Sequence, residues 1–122
     1  MYIKLIDKLF KKVYIKGMSY SINFDERKNQ ILKVTRGIGF YEIMQAIHSG
    51  KIIGNEKHFN EIKYPNQHLF IININNQACL VPYVIDKNKK EAFFKTLYIS
   101  RKFTKLYKKK LERNNEQNHT KK

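Results

Sequence analysis

Residues 69–85 read LFIININNQACLVPYVI, and this stretch decides the fold. Residues 69–74 and 78–85 are rich in β-branched and aromatic side chains, which favour strands. Asn75 and Asn76 lie between the two runs and are typical turn residues, so the stretch predicts an antiparallel hairpin. Residues 86–90 predict a second turn and residues 92–98 a third strand. The sequence therefore predicts a three-strand meander.

Two helices are predicted before the meander and one after it. Asp25 is a favourable N-cap for the first helix, which Gly37 ends. Apolar residues at i, i+3, i+4 and i+7 predict the second helix: Phe40, Ile43, Met44 and Ile47. Ser100 is a favourable N-cap for a basic last helix, and that helix has an apolar face: Phe103, Leu106, Tyr107 and Leu111.

These elements predict an α+β fold in which helices cover one face of an antiparallel sheet, with one or two short strands near Ile22 or Ile52 added to the meander. A chain of 122 residues has room for one core. We assign residues 18–113 to this domain. Residues 1–17 are predicted to be a basic extension with helical spacing, and Met18 offers an alternative start. Residues 114–122 are predicted to be a disordered basic tail.

The charge of the chain favours an anionic partner. The formal net charge is +15, from 25 Lys and Arg against 10 Asp and Glu, which suits nucleic acid, an acidic protein or a lipid surface. Lys outnumbers Arg 21 to 4, which an AT-rich coding bias would also produce. The single cysteine, Cys79, cannot form an internal disulfide, so nothing suggests an oxidising compartment and a cytoplasmic location is the default expectation. No apolar run approaches the roughly 20 residues of a membrane span, so no stable membrane association is expected.

Three stretches resemble, in the same order, motifs of the BrnT family of toxins from toxin–antitoxin pairs. They are NFDERKN at residues 23–29, RGIGFYE at residues 36–42 and LYISRKFTKLY at residues 97–107. The resemblance implies a fold of the RelE type and an endoribonuclease that cleaves cellular RNA without a metal, by attack of the ribose 2′-OH. It also implies a small ribbon-helix-helix antitoxin of the BrnA type as partner, with operator DNA bound only through that antitoxin.

Metal-independent cleavage needs cations and groups that transfer protons. By the resemblance, the catalytic candidates are Arg36, His68, Lys95, Arg101 and Tyr107. Arg36 and Arg101 would clamp the phosphate, and His68 would transfer the proton. Four lysines would bind the RNA backbone: Lys102, Lys105, Lys108 and Lys109.

Four of the five catalytic candidates also have a structural interpretation, and the position of Arg101 favours a functional one. Arg36 can complement the negative end of its helix, whereas Arg101 in a first helical turn is disfavoured by the helix dipole, which favours an external anion. His68 can be a surface residue of a polar loop, and Lys95 can lie on the solvent face of a strand. Tyr107 can belong to the core.

Other sites find little support in the sequence. His48, His58 and His119 are too far apart to suggest zinc, so no metal or cofactor is predicted.

The family usually has His where this chain has Arg36, and often Arg where it has His68. A noncatalytic basic module that binds nucleic acid or protein is therefore the alternative function, and membrane contact through residues 1–17 is a third.

Overall fold

The hairpin of residues 67–86 forms the centre of the sheet in the computed structural model, which describes residues 11–58 and 60–120. In chain order the elements are β1 (Lys12–Ile15), β2 (Met18–Phe24), α1 (Glu26–Arg36), α2 (Phe40–His48), β3 (Ile52–Lys57), β4 (Gln67–Ile74), β5 (Gln77–Asp86), β6 (Glu91–Phe94), β7 (Tyr98–Ile99), α3 (Arg101–Leu106) and α4 (Lys108–Thr120). The predicted α+β class is confirmed. The described residues contain more strands than the sequence predicted.

The β4–β5 hairpin has the predicted turn. Asn75 and Asn76 both adopt positive φ angles, 51° and 68°, which two-residue turns between twisted antiparallel strands require. The register runs from Ile74 opposite Gln77 to Gln67 opposite Val84. The hairpin prediction is therefore confirmed.

The sheet has the strand order β1-β2-β6-β5-β4-β3. Strand β7 also pairs with β5, nearer the beginning of β5 than β6 does. Neighbouring strands are antiparallel except for β2 and β6, which are parallel. Strands do occur near both Ile22 and Ile52. The parallel pair joins residues about 70 positions apart in the chain, for example Ile22 and Ala92.

Helices α1 and α2 begin and end where the sequence predicts. The Asp25 carboxylate accepts a hydrogen bond from the Arg27 amide at 2.8 Å, and Gly37 ends α1 with a φ angle of 74°. Gly39 stands between the helices because an added Cβ would lie 2.4 Å from Asn29 Oδ1. That oxygen accepts a 2.7 Å hydrogen bond from the Phe40 amide, which joins α2 to α1.

Helices pack on both faces of the sheet, not on one. Along β4, Phe70 and Ile72 belong to a core cluster with α1 and α2, and we call this side the first face. Leu69 and Ile71 alternate with them, and they form a second cluster on the opposite side, the second face, where Phe103 and Tyr107 pack. The predicted one-sided arrangement is therefore wrong.

The predicted third strand, residues 92–98, is divided into β6 and β7. Pro82 of β5 is the physical reason, since it has no N–H to donate. Its carbonyl accepts from the Lys95 amide at 2.8 Å, so its nitrogen also points toward this neighbour. Strand β5 pairs with β6 at residues 83–86 and with β7 at residues 79–80, on either side of the proline.

The described part of the N-terminal extension belongs to the domain. Residues 12–15 form strand β1, which pairs with β2, so the helical prediction is wrong there. Val13 is only 1% exposed and lies in the first-face core. The prediction for residues 1–10 lies outside the described residues.

The predicted disordered tail is helical as far as Thr120, since α4 continues past residue 114. Asn114 explains the difference. Its side chain is buried, donates to the Gly50 carbonyl at 3.0 Å and accepts from Asn73 at 2.9 Å. A buried amide that satisfies its partners in this way fastens the helix to the sheet. None of the helices in the described residues is long and apolar enough to cross a membrane.

Replacing Val13 by alanine tests whether β1 belongs to the folded core. We expect Val13→Ala to lower the free energy of unfolding by roughly 2 kcal/mol, since it removes two buried carbon atoms and leaves a cavity. The measurement is urea unfolding followed by circular dichroism. Tyr14→Ala is the matched control, because Tyr14 is 73% exposed in the same strand. Equal losses in the two variants would contradict a core role for β1.

Candidate nucleic-acid interface

Six cations lie exposed on α3 and in the first turn of α4, and we call five of them the basic surface: Arg101, Lys102, Lys105, Lys108 and Lys109. The ammonium of the sixth, Lys110, lies 5.0 Å from the centre of the Tyr107 ring. Ser100 sets where α3 begins, since its hydroxyl accepts from the Phe103 amide at 3.0 Å. Phe103 and Tyr107 turn inward onto the second face. The alternating cations are therefore held on the solvent side of the helices.

The basic surface has no acidic partner. Residues 95–111 contain seven Lys or Arg and no Asp or Glu. In the part of the chain that the structure describes, no carboxylate lies within 4.0 Å of a nitrogen of these five side chains, and the ion pair found there joins Lys33 and Glu42. Cations that no protein carboxylate neutralises are available to an external polyanion.

Lys95 also lies on the second face. Phe94 is buried in the first-face core, so Phe93 points to the other side of the sheet. The Lys95 ammonium lies 5.6 Å from the centre of the Phe93 ring, within the range of a cation–π interaction. The sequence predicted that Lys95 lies within a strand, whereas it directly follows β6, in the segment between β6 and β7.

The sequence did not single out two tyrosines, Tyr98 on this side of the sheet and its neighbour Tyr64. Tyr98 of β7 packs against the second-face cluster, and burial raises the pKa of its phenol. The neighbouring Tyr64 phenol raises this pKa further, while Arg36 opposes the shift. The Lys63 ammonium lies 5.3 Å from the centre of the Tyr64 ring. Only the alternation of residues 97–99 could have indicated Tyr98, since its tertiary neighbour is 34 residues away.

Arg36 is used within the fold. Its Nη1 donates a hydrogen bond to the carbonyl of Leu97, in the segment between β6 and β7. This segment lacks a complete ladder because of Pro82, so the guanidinium satisfies a carbonyl that no strand pairs with. The contact favours the structural interpretation of Arg36 over phosphate clamping.

His68 and Tyr107 lie on opposite faces of the sheet. His68 stands beside Tyr83 on the first face, with ring centres 5.6 Å apart. Its Nδ1 is buried and has no hydrogen-bond partner among the described residues. Tyr107 packs on the second face so closely that a Cβ at Gly54 would lie 3.1 Å from its hydroxyl.

The five catalytic candidates are thus divided by the sheet. Lys95, Arg101 and Tyr107 lie on the second face with the basic surface. Arg36 lies beside the segment between β6 and β7, and His68 is on the first face. His68, the residue proposed to transfer the proton, is therefore separated by the sheet from Arg101, one of the two cations proposed to clamp the phosphate.

Two concave regions adjoin the basic surface. A cleft of about 430 Å³ lies between α3–α4 and the β4–β5 turn, and we call it the helix–turn cleft; it is lined by Asn76, Thr104, Lys105, Lys108, Leu111, Glu112 and Asn115. A shallow depression of about 530 Å³ is lined by Arg101, Lys102, Lys105 and Leu106. Lys105 belongs to both, so the two regions are neighbours.

The described residues contain no group of three or more His, Cys, Asp or Glu side chains arranged to hold a metal ion. No family model, curated protein or solved structure matches the chain. The likeness to BrnT toxins therefore stays a sequence-based expectation.

Replacing Arg36 by alanine separates its structural role from RNA binding. We expect Arg36→Ala to lower the free energy of unfolding by about 1–2 kcal/mol, because the Leu97 carbonyl loses a charged donor and α1 loses a favourable cation. Arg27→Ala removes the same charge from the first turn of α1 and should change the free energy of unfolding little. Thermal unfolding measures stability, and RNA affinity should fall equally in both variants. A larger affinity loss in Arg36→Ala alone would restore its role as a phosphate ligand.

Proposed function

We propose that the chain binds RNA through the basic surface of α3 and α4. The observation that carries the proposal is the set of five exposed cations without a carboxylate partner in the described residues. Lysines and arginines placed along a helix neutralise phosphates and release the counterions condensed on the nucleic acid. This binding is strong at low salt and does not depend on sequence.

The packing of α3–α4 argues against a lipid surface as the partner. A helix that lies on a membrane exposes an apolar face beside its cations. Here Phe103 and Tyr107 pack on the sheet, and Leu111 is buried. Leu106, at 67% exposed, is the large apolar side chain that α3 presents to solvent. A rigid cationic surface of this kind suits phosphates better than acyl chains.

A ribonuclease toxin must bind RNA, and the alternative that the sequence suggested, a noncatalytic module that binds nucleic acid or protein, includes RNA binding as one of its two forms. The noncatalytic module accounts better for the side-chain positions, because His68 is on the opposite face and Arg36 is bonded to Leu97. The toxin stays a second proposal through Lys95 and Arg101, which share the face of the basic surface. A ribbon-helix-helix antitoxin, operator DNA bound through it and a cytoplasmic location remain expectations from the resemblance and the composition.

The salt dependence of RNA binding tests the proposed surface. We expect replacement of Lys105, Lys108 and Lys109 by glutamine to weaken binding of single-stranded RNA. The slope of log K against log salt should become less steep by about 2, since each lost phosphate contact removes roughly 0.7. Fluorescence anisotropy at several KCl concentrations measures both quantities.

The matched control replaces Lys87, Lys89 and Lys90, exposed lysines of the β5–β6 turn, by glutamine. It removes the same charge from another surface and should leave most of the slope unchanged. Equal changes in the two triple variants would show that net charge, not the basic surface, controls binding.

Incubation of labelled RNA with the protein in EDTA separates the two proposals. We expect the RNA to be bound and to stay intact, because no proton-transferring side chain of the predicted set joins Lys95 and Arg101 except the packed Tyr107. Cleavage products on a denaturing gel that disappear with Arg101→Ala would establish the ribonuclease instead. Growth after induced expression provides the same comparison in cells.

A further inference from the structure

The helix–turn cleft has an apolar floor and polar walls. Leu111, only 4% exposed, lines it from α4, and Thr104 lines it from α3. The opposite wall is Asn76 of the β4–β5 turn. A volume of about 430 Å³ lies within the range of small-molecule sites, roughly 300–1,000 Å³, and admits a single planar base.

The walls of the cleft are held in place by hydrogen bonds. Thr104 Oγ1 accepts from the Ala78 amide at 2.9 Å and donates to the Ser100 carbonyl at 2.6 Å, which ties α3 to β5. Asn115 Nδ2 donates to Asn76 Oδ1, which ties α4 to the turn. A ligand in such a cleft meets groups that are already positioned, so less entropy is lost on binding.

Charged and polar groups remain free at the rim of the cleft. In the part of the chain that the structure describes, Lys105 and Lys108 form no ion pair, and Glu112 has no cationic partner within 4.0 Å. Asn76 uses its side-chain oxygen toward Asn115 and its backbone amide toward Asn73, and its Nδ2 group has no hydrogen bond there. The rim therefore offers two cations, one amide donor and one carboxylate acceptor.

We propose that the helix–turn cleft binds one nucleotide of a single-stranded RNA. The proposal rests on RNA binding by the basic surface and names the place where an unstacked base enters. The base lies against Leu111 between α4 and the turn, and its phosphate is bound by Lys105 and Lys108. Asn76 Nδ2 and the Glu112 carboxylate face the acceptor and donor atoms of the base edge.

The shallow depression beside the cleft extends the proposed path of the RNA. Lys105 lines both regions, so a phosphate at Lys105 joins the nucleotide in the cleft to the next one over Leu106. Arg101 and Lys102 stand ready for the following phosphate. Bases in a duplex are stacked and paired and do not enter such a cleft, whereas single strands can splay a base out.

Adjacent lysines supply the test, since Lys108 lines the cleft and Lys109 does not. Lys108→Gln and Lys109→Gln remove the same charge at neighbouring exposed positions. We expect Lys108→Gln to weaken binding of a labelled 12-nucleotide RNA roughly tenfold more than Lys109→Gln, the scale of one charge-assisted hydrogen bond. Binding of a duplex RNA of the same sequence should fall equally in both variants.

Methyl resonances of the full chain report the apolar floor directly. Titration with each of the four nucleoside monophosphates should shift the Leu111 and Thr104 methyl signals in a saturable way. Inorganic phosphate should leave these methyl signals in place, because it carries no base. The Val34 methyls, exposed on α1, are the internal control.

The outcomes separate the cleft from the proposed function. The cleft would be overturned if Lys108→Gln and Lys109→Gln lost equal RNA affinity and the Leu111 methyl signals did not move. The proposed basic surface would still stand as long as the unmodified protein binds RNA. Tighter binding of duplex than of single-stranded RNA would also overturn the cleft. Failure of the unmodified protein to bind any RNA at low salt would instead overturn the proposed function.

Discussion

The two-sided burial of strands β4 and β5 is the constraint on which the rest of the structure depends. From Leu69 to Ile72 and from Ala78 to Tyr83 every side chain is buried, whichever face it points to. A strand of this kind needs a cover on each side. Helices α1 and α2 supply one cover, and α3 with the beginning of α4 supplies the other. The second cover is the basic helix, so its cations are held outward by the apolar packing beneath them.

Local signals in the sequence were sufficient for the elements that depend on neighbouring residues. The Asn75–Asn76 turn, the Asp25 and Ser100 caps and the glycine that ends α1 each act within about four residues. The hairpin and the first two helices were therefore predictable. Strand β1 was not, since Val13 is buried by partners from elsewhere in the chain, and its spacing also fitted a helix.

Arrangements that join distant residues escaped prediction for a physical reason. The parallel pairing of β2 with β6 follows from the closing of the whole sheet, not from either strand. The unbroken apolar runs in residues 69–72 and 78–81 are typical of strands buried on both faces. They therefore indicate that each face of the sheet is covered by a helix. Pro82 likewise indicated an interruption of the third strand, because a proline in a central strand leaves its neighbour without a donor.

For the candidate site, residue types were predictable and faces were not. The basic helix and its lysines followed from composition and capping. The face of His68 depends on the register of β4, and a shift of one residue would reverse it. The partner of Arg36, Leu97, is 61 residues away in the chain. The helix–turn cleft exists because Asn73, Asn76, Asn114 and Asn115 meet across about 40 residues, which no local pattern indicates.

Those asparagines also link the stability of the last helix to its charge. Residues 101–116 carry seven Lys or Arg and two Glu, so the cations of α3 and α4 repel one another at neutral pH. Beyond Leu111 the described side chains of α4 are held mainly by amide hydrogen bonds, at Gly50, Asn73 and Asn76. Neutral amides hold the helix whatever the salt or pH, and they add no negative charge that would occupy the lysines. An anion bound at the basic surface relieves the repulsion, so by linkage it must also stabilise the docked helix.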